Sequence, residues 1–279
     1  MQFRQFVFLS FSLAATVAAL ADDDSKPVAF SQAPAAVQKT INAQVGGGTL
    51  GEIYLATEGG ESVYDARLTA TNGDERDFTV AEDGTLLSVE VELSETPAAV
   101  QKAIQAQAPG WGLESIDKNL DDTEISYDVE VTKSGQKKVF TVGDDGTLIS
   151  EEMTLSNTPP MVQKAIQAQL GGGKLTGIDQ VFDDDGITYV VEMTAIDRKG
   201  HSFTVSTNGV MVSEQVTLEN TTPKAQKTIK EEIGDGKILR IDKSLLKRKS
   251  GVFEVQGRKN GKPFDFSVGP GGRFLGMDD

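Results

Sequence analysis

Pro97-Ala98-Ala99-Val100-Gln101-Lys102-Ala103-Ile104-Gln105-Ala106-Gln107 returns as Pro159-Pro160-Met161-Val162-Gln163-Lys164-Ala165-Ile166-Gln167-Ala168-Gln169, with nine of eleven residues unchanged. Looser copies stand at Pro34-Ala35-Ala36-Val37-Gln38-Lys39-Thr40-Ile41 and at Pro223-Lys224-Ala225-Gln226-Lys227-Thr228-Ile229. The Gln-Lys pairs begin at 38, 101, 163 and 226, so the steps are 63, 62 and 63 residues. A fixed period of this length predicts one structural unit made four times.

Each copy reads as a short helix. Proline fixes φ and has no N–H to leave unpaired, so it suits the first helical position, and Thr96 and Thr158 are expected N-caps. Val100, Ala103, Ile104 and Gln107 fall at i, i+3, i+4 and i+7, a narrow stripe with one side to bury. Glycines follow at Gly46-Gly47-Gly48, Pro109-Gly110, Gly171-Gly172-Gly173 and Gly234 and stop the helix. Three turns are marginal alone, so the helix must lie on something.

The sequence after each helix supplies a sheet. A first strand with imperfect alternation is marked by Leu50 and Ile53, Leu113 and Ile116, Leu175 and Ile178, and Ile238 and Ile241. The second alternates cleanly: Tyr64, Ala66, Leu68; Tyr127, Val129, Val131; Tyr189, Val191, Met193; Phe253, Val255. Period two with one apolar face is a half-buried antiparallel strand. Turns are expected at Asn72-Gly73, Ser134-Gly135, Lys199-Gly200 and Asn260-Gly261. A third strand carries Phe78, Phe140, Phe203 and Phe266. A turn with Gly84, Gly146, Gly209 or Gly272 then leads to the fourth. The expected fold class is α+β: four tandem repeats, each one α-helix packed on a four-stranded antiparallel β-meander. A short apolar pair before each helix (Val28 and Phe30, Val91 and Leu93, Met153 and Leu155, Val216 and Leu218) sets the phase at 28–90, 91–152, 153–215 and 216–279.

Composition narrows the function. Arg4, an apolar run over 6–20 and Ala19-Leu20-Ala21 predict a secretory signal over 1–21, with the mature product starting near Asp22. The competing reading of that run is a retained anchor helix. No later run reaches spanning length, so no membrane span is expected after signal removal, and the product is expected to be periplasmic or secreted. There is no cysteine, which excludes a thiol nucleophile, cysteine-bound metal and lipid attachment at cysteine. The formal net charge is −15, yet from Thr217 onward 13 Lys and Arg face 9 Asp and Glu. The first three repeats therefore carry the acidity, which argues against nucleic acid as a partner.

With proline, Val-Gln-Lys, the Tyr-x-Val strand, Phe-Thr-Val and Asp-Gly-Thr-Leu in register, the repeat resembles the PepSY-like family, the β-lactamase-inhibitor-like domains of bacterial envelopes. The resemblance covers all four units, and its motifs are structural landmarks. It implies a helix on an antiparallel sheet, outside the cytoplasm. Relatives include propeptide domains that inhibit or escort metalloproteases, and tandem domains that bind β-lactamase through an exposed sheet face. The family has no catalytic residues to carry over. This sequence departs from the pattern at Ala33, where a threonine is expected, and at Phe253, which replaces the tyrosine. No protease domain follows the repeats, unlike the propeptides.

No enzymatic activity, cofactor or metal site is expected. His201 is the single histidine and sits beside a turn. Asp183-Asp184-Asp185 and Asp121-Asp122 lack the alternate spacing of a calcium loop. The expected partner-binding residues are the outward positions of the second strands: Asp65, Arg67, Asp128, Glu130, Glu192, Glu254 and Gln256. Trp111 joins them as an aromatic anchor, unless it packs on a neighbouring repeat. The function expected is an exported binding module, inhibitor-like, for an envelope or extracellular protein such as a protease or similar hydrolase. A structural or scaffolding array without a dedicated target is the competing reading.

Overall fold

The computed structural model describes residues 25–277, except 59–60, 121–123, 184–185, 197 and 260–261, and not the side chains of 58 and 61. The expected signal segment, Asp121-Asp122, Asp184-Asp185 and the Asn260-Gly261 turn lie outside the described residues. The chain forms two compact bodies that divide between Leu148 and Ile149.

The first body opens with β1 (Lys26–Pro27) and α1 (Ala35–Val45). It continues through β2 (Thr49–Glu58), β3 (Glu61–Thr69), β4 (Glu75–Ala81) and β5 (Leu86–Glu90). Then come α2 (Ala98–Gln107), β6 (Gly112–Leu120), β7 (Ile125–Lys133) and β8 (Gln136–Gly143). Successive strands from β1 to β8 pair antiparallel. The sheet does not break between the two helix-and-meander segments. The last strand of one pairs with the first of the next, Ser88 opposite Asn119, Val89 opposite Lys118 and Glu90 opposite Asp117. The sequence reading expects neighbours to touch; the contact is a strand seam.

The second body repeats the plan. It holds β9 (Leu148–Glu152, from Ile149 on), α3 (Pro160–Leu170), β10 (Lys174–Asp183), β11 (Gly186–Thr194), β12 (Gly200–Ser206) and β13 (Met211–Gln215). These are followed by α4 (Pro223–Ile233), β14 (Lys237–Ser244), β15 (Phe253–Lys259), β16 (Lys262–Val268) and β17 (Phe274–Met277). β9 pairs with β10, and β13 with β14 through Ser213 opposite Ser244 and Gln215 opposite Asp242.

Each helix is held by its stripe. Val100 and Ile104 of α2 are buried with Ile116, Tyr127, Val129, Val131, Phe140 and Val142. Val37 and Ile41, Val162 and Ile166, and Ala225 and Ile229 repeat the arrangement. Burying one Val or Ile stabilises by about 1.5–3 kcal/mol, so two or three such residues offset the weakness of a three-turn helix. The apolar pair ahead of each helix joins the core that follows: Val91 and Leu93 pack around Val100, and the Val91 N–H donates to Ile116 O at 2.8 Å.

The helix starts differ from the expected caps. Thr96 and Thr158 sit one residue too early, and their hydroxyls donate instead to Leu93 O and Leu155 O, closing a short 3-10 turn. Pro97 and Pro159 occupy the cap positions. In α4 the proline is displaced by one, so Thr222 becomes a working cap and its Oγ1 accepts from Ala225 N at 3.2 Å. The glutamine of the repeated motif does the tying: Gln38, Gln101, Gln163 and Gln226 each donate Nε2 to the carbonyl five residues back, at 2.8, 2.9, 2.7 and 3.4 Å.

Two further landmarks have a geometric cause. Gly84, Gly146, Gly209 and Gly272 take φ of 92°, 87°, 79° and 81°. A Cβ there would meet the carbonyl oxygen of Ala36, Ala99, Met161 or Lys224 at 2.8, 2.8, 2.6 and 2.7 Å, so the turn lies directly on the first turn of the helix. The imperfect first strands are bulged, with register shifts at Leu50/Ile53, Leu113/Ser115, Leu175/Gly177 and Ile238/Arg240. The extra residue turns a spacing of two into three. At the third expected turn the positive φ falls on Arg198, while Gly200 already belongs to β12.

Candidate functional site

The face of each sheet away from the helices carries polar residues in rows that cross the strands. In the first body one row runs Arg67, Asp77, Glu90, Asp117, Asp128, Thr141. Register sets Arg67 opposite Asp77, Glu90 opposite Asp117, Asp117 opposite Asp128 and Asp128 opposite Thr141. Glu90 Oε2 accepts the Asp77 N–H at 3.2 Å and joins the two halves. Strands stand ~5 Å apart, so the row sets four carboxylates side by side on four consecutive strands.

Each acid meets that crowding differently. Arg67 grips Asp77 with Nε and Nη2 at 2.8 and 2.9 Å. Asp128 accepts Asn119 Nδ2 at 2.7 Å and the Thr141 hydroxyl at 2.6 Å. Asp65 accepts the Thr79 hydroxyl at 2.7 Å, yet burial still raises its carboxyl above the usual range. Glu130 has the Lys137 ammonium 2.7 Å from Oε2, angled too poorly for a hydrogen bond, so the contact neutralises charge without closing one. Burial also raises Glu90. Asp117 is the extreme: burial first, then the charges of Glu90, Asp128, Asp77 and Glu130, push its carboxyl up to about 7. Two full charges ~5 Å apart repel by about 3 kcal/mol at an effective dielectric of ~20, so the row favours keeping a proton.

The second body lacks that crowding at its β13–β14 seam. Gln215 stands where Glu90 does, opposite Asp242, and Asp242 lies opposite Glu254. Arg240 takes the position of Ser115. Its guanidinium holds both oxygens of Asp242, by Nε and by Nη2 at 2.9 Å, and donates to the Ser202 hydroxyl at 2.9 Å. Burial raises Glu192, and Arg240 pulls it back down. At β9–β10, Glu152 faces Asp179, with Val190 next in line.

The sequence-expected residues therefore fall into place unevenly. Asp65, Arg67, Glu192, Glu254 and Gln256 are half-buried on the polar face. Asp128 and Glu130, expected to be open, are 4% and 5% exposed, because cross-strand donors and Lys137 fold over them. Lys249, from the basic Lys247-Arg248-Lys249 loop, lies 3.8 Å from Glu254. Trp111 is half-buried and packs on the core around Val100. Its N–H donates to Ala108 O at 3.1 Å, which turns the chain back after α2. Asp183 ends β10 opposite Gly186, and His201 is exposed on β12. No cluster fit to hold a metal ion occurs among the described residues. The acids missed by the sequence reading are Asp77, Glu90 and Asp117. Their signal is register: Glu90 and Asp117 meet only because β5 pairs with β6.

Solved structures with similar folds over part of the chain are small. A DUF2874 family protein from Bacteroides uniformis aligns at 17% identity over 42% of this chain and 86% of its own, TM-score 0.33. A BLIP-like protein from Bacteroides fragilis aligns at 19% identity over 43% and 84%, TM-score 0.31. A DUF2874 family protein from Bacteroides vulgatus, provisionally described as periplasmic, aligns at 19% identity over 46% and 96%, TM-score 0.29. No family model and no curated protein matches the sequence. No helix among the described residues is long and apolar enough to cross a membrane.

Proposed function

We propose that the chain is an exported, non-enzymatic binding module of the periplasm or extracellular space. It is built as four tandem PepSY-like units, over 28–90, 91–152, 153–215 and 216–279, after a signal over 1–21. Its target is an envelope or extracellular protein with a basic surface, and the mode is inhibitor-like, by occlusion. One observation carries this: the polar face of the first body concentrates Asp65, Asp77, Glu90, Asp117, Asp128 and Glu130, with Arg67 paired to Asp77 and Lys137 set against Glu130. Such a field steers encounter, while an aromatic residue supplies contact energy. Trp111, half-buried at the margin of the same body's core, is the candidate anchor.

The test is capture from envelope extract with the mature protein. A single stoichiometric partner is expected. Asp128→Asn with Glu130→Gln removes charge without bulk and should slow association, with added salt shrinking the difference. Trp111→Ala should speed dissociation at a cost of about 2 kcal/mol or more. A partner bound equally well by all three proteins places the contact elsewhere. No stoichiometric capture favours the scaffolding array.

A further inference from the structure

The β5–β6 seam differs from its counterpart in a way that a binding surface does not require. At β13–β14 the chain places Gln215 and Arg240 around Asp242; at β5–β6 it places Glu90 and Ser115 around Asp117. The groups facing Asp117 come from every neighbouring strand. Glu90 and Ser88 stand on β5, Asp77 and Thr79 on β4, Ser115 and Asn119 on β6, and Asp128 and Glu130 on β7. Arg67 on β3 holds Asp77, and Lys137 on β8 lies against Glu130. Asn119 donates to Asp128 and to the Ser126 hydroxyl, and the Thr141 hydroxyl donates to Asp128. The facing pair Glu90 and Asp117 thus sits between two further acids, at the point where one helix-and-meander segment is joined to the next.

We propose that the β5–β6 seam is a proton-dependent joint: a proton held by the Glu90–Asp117 pair keeps the two strands paired, and its loss sets like charges face to face and loosens them. Like charges directly opposite on a sheet destabilise the pairing. The elevated Asp117 carboxyl, at about 7, puts the transition near neutral pH. The sign follows from linkage. The folded seam holds its proton to about pH 7, whereas an unfolded aspartate releases it near pH 4. The seam is therefore favoured at lower pH, weakens as pH rises through that interval, and levels off above it.

Amide hydrogen exchange on the intact mature chain, at about pH 5.5 and about pH 8.5, reads the joint directly when expressed as protection factors. Residues 88–91 and 117–119 should lose about tenfold or more protection at the higher pH, the equivalent of one unit of pKa. Residues 213–216 and 242–244 at the Arg240-bridged seam should hold steady and act as the internal control. Asp117→Asn should hold the first seam at both pH values. A carbon-13 carboxyl titration of the unmodified protein gives an independent reading, with a midpoint above about 6 expected for Asp117. A midpoint below about 5, seam protection that ignores pH, or the same loss in Asp117→Asn overturns the proposal.

Discussion

At the scale of single residues, glycine and phenylalanine positions give the sharpest expectations. Gly146 and Gly135 both take positive φ, 87° and 79°, but a Cβ at Gly146 would lie 2.8 Å from Ala99 O while one at Gly135 meets nothing within 4 Å. Gly135→Ala should therefore carry the conformational cost alone, about 1–2 kcal/mol, and Gly146→Ala distinctly more. Denaturant midpoints at constant m separate the two. Equal losses would mean that the helix–turn contact yields freely. Phe140 is 1% exposed beneath α2, so Phe140→Ala should cost about 3–5 kcal/mol by calorimetry. An unchanged melt would remove it from the core.

At the scale of elements, the motif that announces the repeat is explained by a hydrogen bond. Gln101 Nε2 donates to Thr96 O at 2.9 Å, across the junction of the 3-10 turn and α2. Gln101→Ala should lose about 0.5–1.5 kcal/mol, and Gln101→Glu more, since it sets a carboxylate against a carbonyl oxygen. Identical melts for the two would refute the clamp. Helices and strands were legible because their apolar residues keep strict periods: Val100 with Ile104, and Tyr127 with Val129 and Val131. The bulges were visible only as a fault, the spacing of three between Leu113 and Ile116. Thr96 has the chemistry of a cap but lies one residue early, where its hydroxyl closes the 3-10 turn instead. The site was half legible. Asp128 and Glu130 were recognisable as outward residues of β7, but burial by Asn119, Thr141 and Lys137 depends on partners from other strands. Glu90 and Asp117 were out of reach, because no local pattern shows that β5 and β6 share a seam.

At the scale of the whole molecule, the acidic first body and the Arg240-bridged second body should respond differently to acid and base. Glu192 is raised by burial and lowered by Arg240, so Arg240→Gln should move its titration further upward and weaken the second body as pH rises through that range. Carboxyl titration with a denaturation series reads both, and an unmoved Glu192 would show that the guanidinium does not act on it. Export makes a separate expectation: N-terminal sequencing of the mature product should begin near Asp22, and a retained Met1 on soluble material would refute it.

The strand seam has a consequence for the order of assembly. Lys26 pairs with Leu55, Ser88 with Asn119 and Ser213 with Ser244, so the links between successive segments join residues only about thirty positions apart. Among the described residues, nothing in the pairing within either body requires a distant part of the chain to arrive first. Low sequence separation favours quick closure. A chain made available from its N-terminus can thus complete β2 to β5 before α2 and β6 arrive, with β5 presenting the edge on which β6 is laid. The expectation is a polarity in time: under pulse labelling during refolding, amides of β3 and β4 gain protection no later than those of β6. Protection of β6 ahead of β5 would reverse that order.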